Sequence, residues 1–300
     1  TRRSSDLFHA MFSIMLFSMV FVMYPKAQVS ANRIMEVLNT EPIIKSPKNG
    51  IKDTENKGTI EFENVSFTYP NGEEPVIKDV SFSGKKGEVI AFIGSTGSGK
   101  STLINLIPRF YDVTKGSIKI DGVDVRDYDL KYLRKKIGFI PQKTLLFTGS
   151  IANNIKFGKK DAEYKEVEDS ARIAQAYEFI SNKPNKFDEI ITEGGSNVSG
   201  GQKQRLSIAR AIVRKPDIYI FDDSFSALDF KTDAILRKEL RSETKDAIVL
   251  IVAQRIGSIM DADKIIVLNE GEVVGIGTHK ELIKNCPIYH EIATSQRTEE

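Results

Sequence analysis

The chain reads as an α/β protein built on a mainly parallel sheet, and three observations predict this. An apolar run, Glu88 to Ile93, opens into Gly94-Ser95-Thr96-Gly97-Ser98-Gly99-Lys100-Ser101, and a helix-like stretch, residues 101–107, follows. A second apolar run, Ile218-Tyr219-Ile220-Phe221, ends in the paired carboxylates Asp222 and Asp223. From Glu88 onward strand-like and helix-like patterns alternate, the order that builds a parallel sheet between layers of helices.

The elements follow in chain order. Residues 1–24 hold an almost wholly apolar run, Leu7 to Tyr24, broken by His9, Ser13 and Ser18. That is about 18 residues, the lower limit for crossing a bilayer. A secretory signal starting at Arg2-Arg3 is one alternative, although no A-x-A cleavage pattern follows, and a buried core helix is another. Residues 25–57 read as a helical continuation, Ala27 to Leu38, and then a polar linker from Thr40 to Lys57 rich in Pro, Lys, Asn and Gly. Residues 58–300 form the main domain, in which Thr59 to Phe82 alternates in polarity as antiparallel strands do.

The loop at 94–101 matches G-x-x-x-x-G-K-[ST] at every fixed position. Its glycines let consecutive backbone N–H groups wrap an anion, so Gly94, Ser95, Thr96, Gly97, Ser98 and Gly99 are expected to cradle phosphates, with Thr102 just beyond. Lys100 would reach the β- and γ-phosphates and Ser101 would hold Mg2+. The dipole of the helix that follows adds to the anion site. Asp222, at the carboxyl end of a buried strand, would hold the same ion. Residues 144–214 read as mainly helical, over Asp161 to Ile180 and then Gly201 to Val213. The second of these helices opens on Val198-Ser199-Gly200-Gly201-Gln202, whose small residues leave N–H groups free for a phosphate.

Composition is ordinary for a globular domain: net charge is +2, 28% of residues are charged, and no basic tract of the nucleic-acid-binding kind occurs. Cys286 is the only cysteine, so no intrachain disulfide can form, in keeping with a reducing compartment.

With these motifs in this order, residues 58–295 resemble the nucleotide-binding domain of ATP-binding cassette (ABC) exporters. The resemblance implies a P-loop NTPase (RecA-like) core with an antiparallel β subdomain and an α-helical subdomain. Ahead of it would lie the end of a last transmembrane helix, so the chain is expected to be the C-terminal part of a half-transporter. Val198 to Gln202 looks like the family's signature loop, with Val for the commoner Leu. Gln142, in Ile140-Pro141-Gln142, matches the Q-loop, and Ser226-Ala227-Leu228-Asp229 matches the D-loop. Tyr69 matches the aromatic that stacks on adenine, although an ordinary strand aromatic before a Pro-Asn-Gly turn is the alternative. Glu193 falls in the loop that meets the membrane domain, or is a solvated loop acid.

The resemblance implies ATP and Mg2+ as cofactors, the ion held by Ser101, Asp222 and Gln142. It implies a cell-membrane location with the ATPase domain on the cytoplasmic face, and a membrane-embedded partner domain. Two departures stand out. Asp223 occupies the place of the usual Glu, the general base, and Gln254 the place of the usual His at the γ-phosphate. Aspartate is one methylene shorter, and glutamine can neither carry charge nor pass a proton. This resembles the degenerate-site subunit of heterodimeric bacterial multidrug exporters. The expected partner is therefore a second half-transporter with a consensus site, which Ser199, Gly200, Gly201 and Gln202 would complete. A regulatory module with negligible hydrolysis is the alternative.

Overall fold

The computed structural model describes residues 2–54 and 58–297. Residues 55–57 of the expected linker, residue 1 and residues 298–300 lie outside the described residues. The chain divides into two compact units, one up to Lys45 and the other from Ser46 onward.

The first unit is one helix, α1 (Arg2–Asn39), which runs through Pro25. At 1.5 Å per residue it extends about 57 Å, against roughly 30 Å of bilayer hydrocarbon. Pro25 stands where the apolar part gives way to the polar part, and its ring removes one backbone hydrogen bond there. Among the described residues α1 is the one helix long and apolar enough to cross a membrane, with an 18-residue window of mean hydropathy 1.9. Leu7, Phe8, Phe17 and Phe21 are exposed along it.

The second unit begins with β1 (Thr59–Phe67), β2 (Ile77–Lys85), β3 (Val89–Ile93), α2 (Lys100–Leu106), β4 (Lys115–Ile120), β5 (Val123–Asp124), α3 (Leu130–Lys135) and β6 (Ile137–Ile140). A mainly helical segment follows: β7 (Gly149–Ser150), α4 (Ile151–Lys156), α5 (Tyr164–Ile173), α6 (Tyr177–Ser181), β8 (Ile190–Ile191) and α7 (Gly200–Ile212). The chain then returns through β9 (Ile218–Asp222), α8 (Phe230–Glu243), β10 (Ile248–Val252), β11 (Lys264–Asn269), β12 (Glu272–Gly277), α9 (His279–Asn285) and α10 (Pro287–Arg297).

The strands form a four-stranded sheet, β2-β1-β4-β5, and a six-stranded sheet, β12-β11-β3-β10-β9-β6. The small sheet is antiparallel, and the large one is parallel except for β12. All five residues of β9 and all five of β10 are buried, as strands covered on both faces must be. Their pleat sorts them between two cores. Ile218, Ile220, Ile248 and Leu250 join Ile90, Phe92 and the α2 residues Leu103 and Ile104 in a core shared with the antiparallel sheet. Tyr219, Phe221, Val249 and Ile251 join Leu206 of α7, Leu236 of α8 and Tyr289 of α10 in the other.

Three local features depart from the sequence reading. The helix expected over Asp161–Ile180 is two helices, because Gln175 takes a left-handed conformation (φ 56°) between α5 and α6. That turn aims the Gln175 carbonyl at Arg205, whose Nη1 donates to it at 2.8 Å. The short β7–β8 pair lies inside the helical segment. The polar stretch expected as a linker packs on the domain from Ser46: Ile51 pairs with Tyr128, and Gly50 runs so close to Asp129 that a Cβ would sit 2.5 Å from its nitrogen. Ile51 is the apolar residue that anchors this otherwise polar segment.

A buried ionic hub ties the two sheets together. Asp121, at the turn between β4 and β5, accepts hydrogen bonds from Gly58 N (2.6 Å), Thr59 N (3.2 Å) and Thr54 Oγ1 (3.1 Å). Lys136 Nζ donates to Asp121 (2.8 Å) and to Asp217 (2.7 Å), just before β9. Burial pushes the Lys136 ammonium toward neutrality, but the two carboxylates outweigh it and hold its pKa above the ordinary value. Beside it, burial and the Asp121 charge push the Tyr128 phenol up to about 12. Both folded-state pKa values exceed the unfolded ones, so both groups stabilise the fold below pH about 10; the Tyr128 contribution is lost as pH rises through about 12, and that of Lys136 at still more alkaline pH. The melting temperature should therefore fall steeply above pH about 10. Tyr128→Phe should blunt that fall, and an unchanged alkaline limb would exclude Tyr128 as its cause.

Candidate functional site

The loop at 94–101 is held, at Gly94 and Gly99, by packing that only glycine permits. A Cβ on Gly94 would lie 2.0 Å from the Leu268 carbonyl oxygen. Gly99 has φ of +94°, and a Cβ there would lie 2.6 Å from Ile77 Cδ1. The tip of the loop, by contrast, faces open space: nothing lies within 4 Å of where a Gly97 Cβ would stand. Lys100, at the start of α2, folds back into this loop, donating to Gly94 O at 2.8 Å and Ser95 O at 2.7 Å. Its burial lowers its pKa, opposed by the charges of Asp223 and Asp222.

On the strand side, Ser101 Oγ donates to Asp222 Oδ1 at 2.8 Å. A hydroxyl and a carboxylate oxygen side by side suit a hard divalent cation that takes its other ligands from phosphates and water. No cluster of three or more acidic, histidine or cysteine side chains that could hold a metal occurs among the described residues. Burial raises the Asp222 pKa, against the Ser101 hydrogen bond.

Asp223 lies one residue further, in a left-handed conformation (φ 46°), and gathers two loops around one oxygen. Its Oδ2 accepts from Gln142 Nε2 at 3.0 Å and from Gln254 Nε2 at 2.8 Å. Gln142 is thus joined to Asp223, with its amide carbonyl left as the atom that could reach an ion. Burial raises the Asp223 pKa, against hydrogen bonds from Gln142 and Ser226 and the charges of Lys100 and Arg255. Tyr69 is brought to the same region: its hydroxyl and Thr102 Oγ1 lie 2.9 Å apart, and Phe67 and Tyr111 pack edge-on to its ring.

Ser199, Gly200, Gly201 and Gln202 are placed apart from this constellation, at the N-terminus of α7. Ser199 Oγ accepts from Gln202 N while the Gln202 side chain accepts from Ser199 N, a capping box that contributes about 1 kcal/mol to the start of the helix. Gly201 lies against the D-loop, where a Cβ would be 3.1 Å from Ala227 O. One turn on, buried Gln204 accepts from Thr144 Oγ1 at 2.6 Å, tying the Gln142 loop to α7. Motif reading missed this link, although a polar residue facing inward on an amphipathic helix is its signal. Glu193 stands in a short turn before α7, exposed.

The comparisons decide the family. The ABC transporter family model matches residues 77–226. The chain belongs to the ABC transporter family. An uncharacterized ABC transporter ATP-binding protein of Mycobacterium tuberculosis is 42% identical over 288 residues, covering 95% of this chain and 49% of that protein. A putative multidrug export ATP-binding/permease protein of Staphylococcus aureus is 45% identical over 240 residues, covering 80% and 42%. Among solved structures, a bacterial Atm1-family ABC exporter with ATP bound superposes with a TM-score of 0.87 at 31% identity, over 94% of this chain and 50% of that one. The chain spans about half the length of the curated relatives it matches. ABC ATP-binding domains bind ATP, generally with Mg2+, and are generally ATPases. The α/β architecture predicted above is that of an ABC domain.

Proposed function

We propose that this chain is the ATP-binding and ATP-hydrolysing module of an ABC exporter, with an impaired site of its own and a signature loop that completes a partner's. The observation that carries the reading is the single oxygen of Asp223 held by two neutral amides, Gln142 and Gln254. A general base must present a free lone pair to the attacking water. Here the carboxylate is one methylene short, and Gln254 contributes a hydrogen bond but no charge. Its raised pKa favours basicity, yet reach decides: a 1 Å misplacement can cost about a hundredfold.

In this reading Lys100 and the loop from Gly94 to Ser101, with Thr102, bind the phosphates, and Tyr69 takes the adenine. Ser101 and Asp222 hold Mg2+, with the Gln142 carbonyl as a further ligand. When bound, the ion neutralises phosphate charge. Bound nucleotide brings the Gln142 loop and, through Gln204, α7 into one arrangement. Ser199, Gly200, Gly201 and Gln202 then face a nucleotide held by the other subunit.

The partner is a second half-transporter with a consensus site, and the membrane-embedded part includes the apolar segment of α1. The protein lies in the cell membrane with this domain on the cytoplasmic face. The multidrug-export names among the relatives and the fused apolar helix support export. ATP turnover of the chain alone should be low and should rise at least tenfold when a half with Glu and His at the positions of Asp223 and Gln254 is added. Vigorous turnover by the chain alone would remove the impaired-site reading. Low turnover both alone and paired would favour a regulatory module.

A further inference from the structure

Gln296 lies on the inward face of α10, seven residues after Tyr289 and three after Ala293, both buried. It stands where that apolar face would continue, and its carboxamide is used at both ends. Nε2 donates to the backbone oxygen of Gln254 at 2.6 Å, and Oε1 accepts from Ile256 N at 2.8 Å. One planar group thereby spans Arg255 and orients the peptide units on either side of it. The loop is held at two further points: Ala253 N donates to Phe92 O at 3.1 Å, and Arg237 Nη1 to Gly257 O at 3.2 Å. Among these contacts only that of Gln296 reaches the main chain of Gln254, whose side chain lies on Asp223.

We propose that Gln296 is a positioning residue for the γ-phosphate end of the nucleotide site, acting through Gln254. The proposal rests on the reading that Gln254 faces the γ-phosphate. A peptide unit turned by a few tens of degrees would swing the Gln254 amide off its line, and Gln296 prevents this from α10. The C-terminal helix thus sets how well the site distinguishes ATP from ADP.

The test uses the full chain in detergent with Mg2+, measuring Kd for ATP and for ADP by titration calorimetry. Gln296→Met keeps the side-chain length and removes both hydrogen bonds. ATP affinity should fall about fivefold, the factor an ordinary hydrogen bond is worth, while ADP affinity is unchanged. Gln254→Ala should show the same selective loss, and the double variant should be no worse than Gln254→Ala alone. Equal losses for ATP and ADP, or additive losses in the double variant, would make Gln296 a fastener of α10 only and overturn the proposal. Selective loss in Gln254→Ala but not in Gln296→Met overturns it while the site reading stands. Selective loss in neither overturns both. Should Gln296→Met fail to fold, Gln296→Glu serves in its place. It keeps the bond from Ile256 N, sets an oxygen against the Gln254 carbonyl, and is expected to give the same ATP-selective loss.

Discussion

Asp223→Glu combined with Gln254→His is expected to raise the chain's ATP turnover about a hundredfold. Glutamate extends the carboxylate by one carbon–carbon bond, about 1.5 Å, beyond the point where Gln142 and Gln254 converge. Histidine at position 254 can carry charge and pass a proton, as glutamine cannot. The single changes should each give less than the pair, because both act on the same oxygen and are coupled. The measurement is phosphate release at saturating ATP, with nucleotide affinity followed in parallel. Unchanged turnover at unchanged affinity would show that neither position limits the chemistry, and the impaired-site reading would fall with it.

Asp121→Ala should be among the most destabilising single changes in the domain, at about 4 kcal/mol. It removes the acceptor of two backbone N–H groups and a hydroxyl, and leaves Lys136 buried with one partner. Lys136→Met should cost roughly half as much. In that variant the buried carboxylate keeps three donors, and partly exposed Asp217 returns to water. For a unit of this size the first change corresponds to a fall in melting temperature on the order of 10 °C. Urea unfolding of both variants checks the order. A larger loss in Lys136→Met would mean that the ion pair, and not the backbone network, dominates the hub.

Much of this was readable from residues because it is local. The phosphate loop, the strand ending in Asp222 and the small residues opening α7 each announce themselves within a dozen positions. The two-core arrangement is likewise implicit in β9 and β10, whose unbroken apolar runs require cover on both faces. What escaped is long-range. Asp121 and Lys136 look like ordinary charges in sequence, and only the fold brings them together with Asp217. Gln296 reads as a polar residue near a chain end, and its use appears only when α10 lies beside the loop after β10. The break at Gln175 carries no glycine or proline to mark it. The contact that accompanies it, the Gln175 carbonyl accepting from Arg205, lies thirty residues away in the sequence.

The pleat of β9 has a further consequence. Even-numbered residues of that strand face the antiparallel sheet and α2, and odd-numbered ones face the helical side. Asp222 continues the first series and meets Ser101 on α2, whereas Asp223 leaves on the other side, toward Gln142 and Gln254. Two chemically identical acids, adjacent in the chain, are thus given different neighbours by parity alone. A deletion of one residue among the apolar positions of β9 would move Asp223 into the place of Asp222 and turn Asp222 to the opposite face, and the site would be lost with every one of its side chains still present.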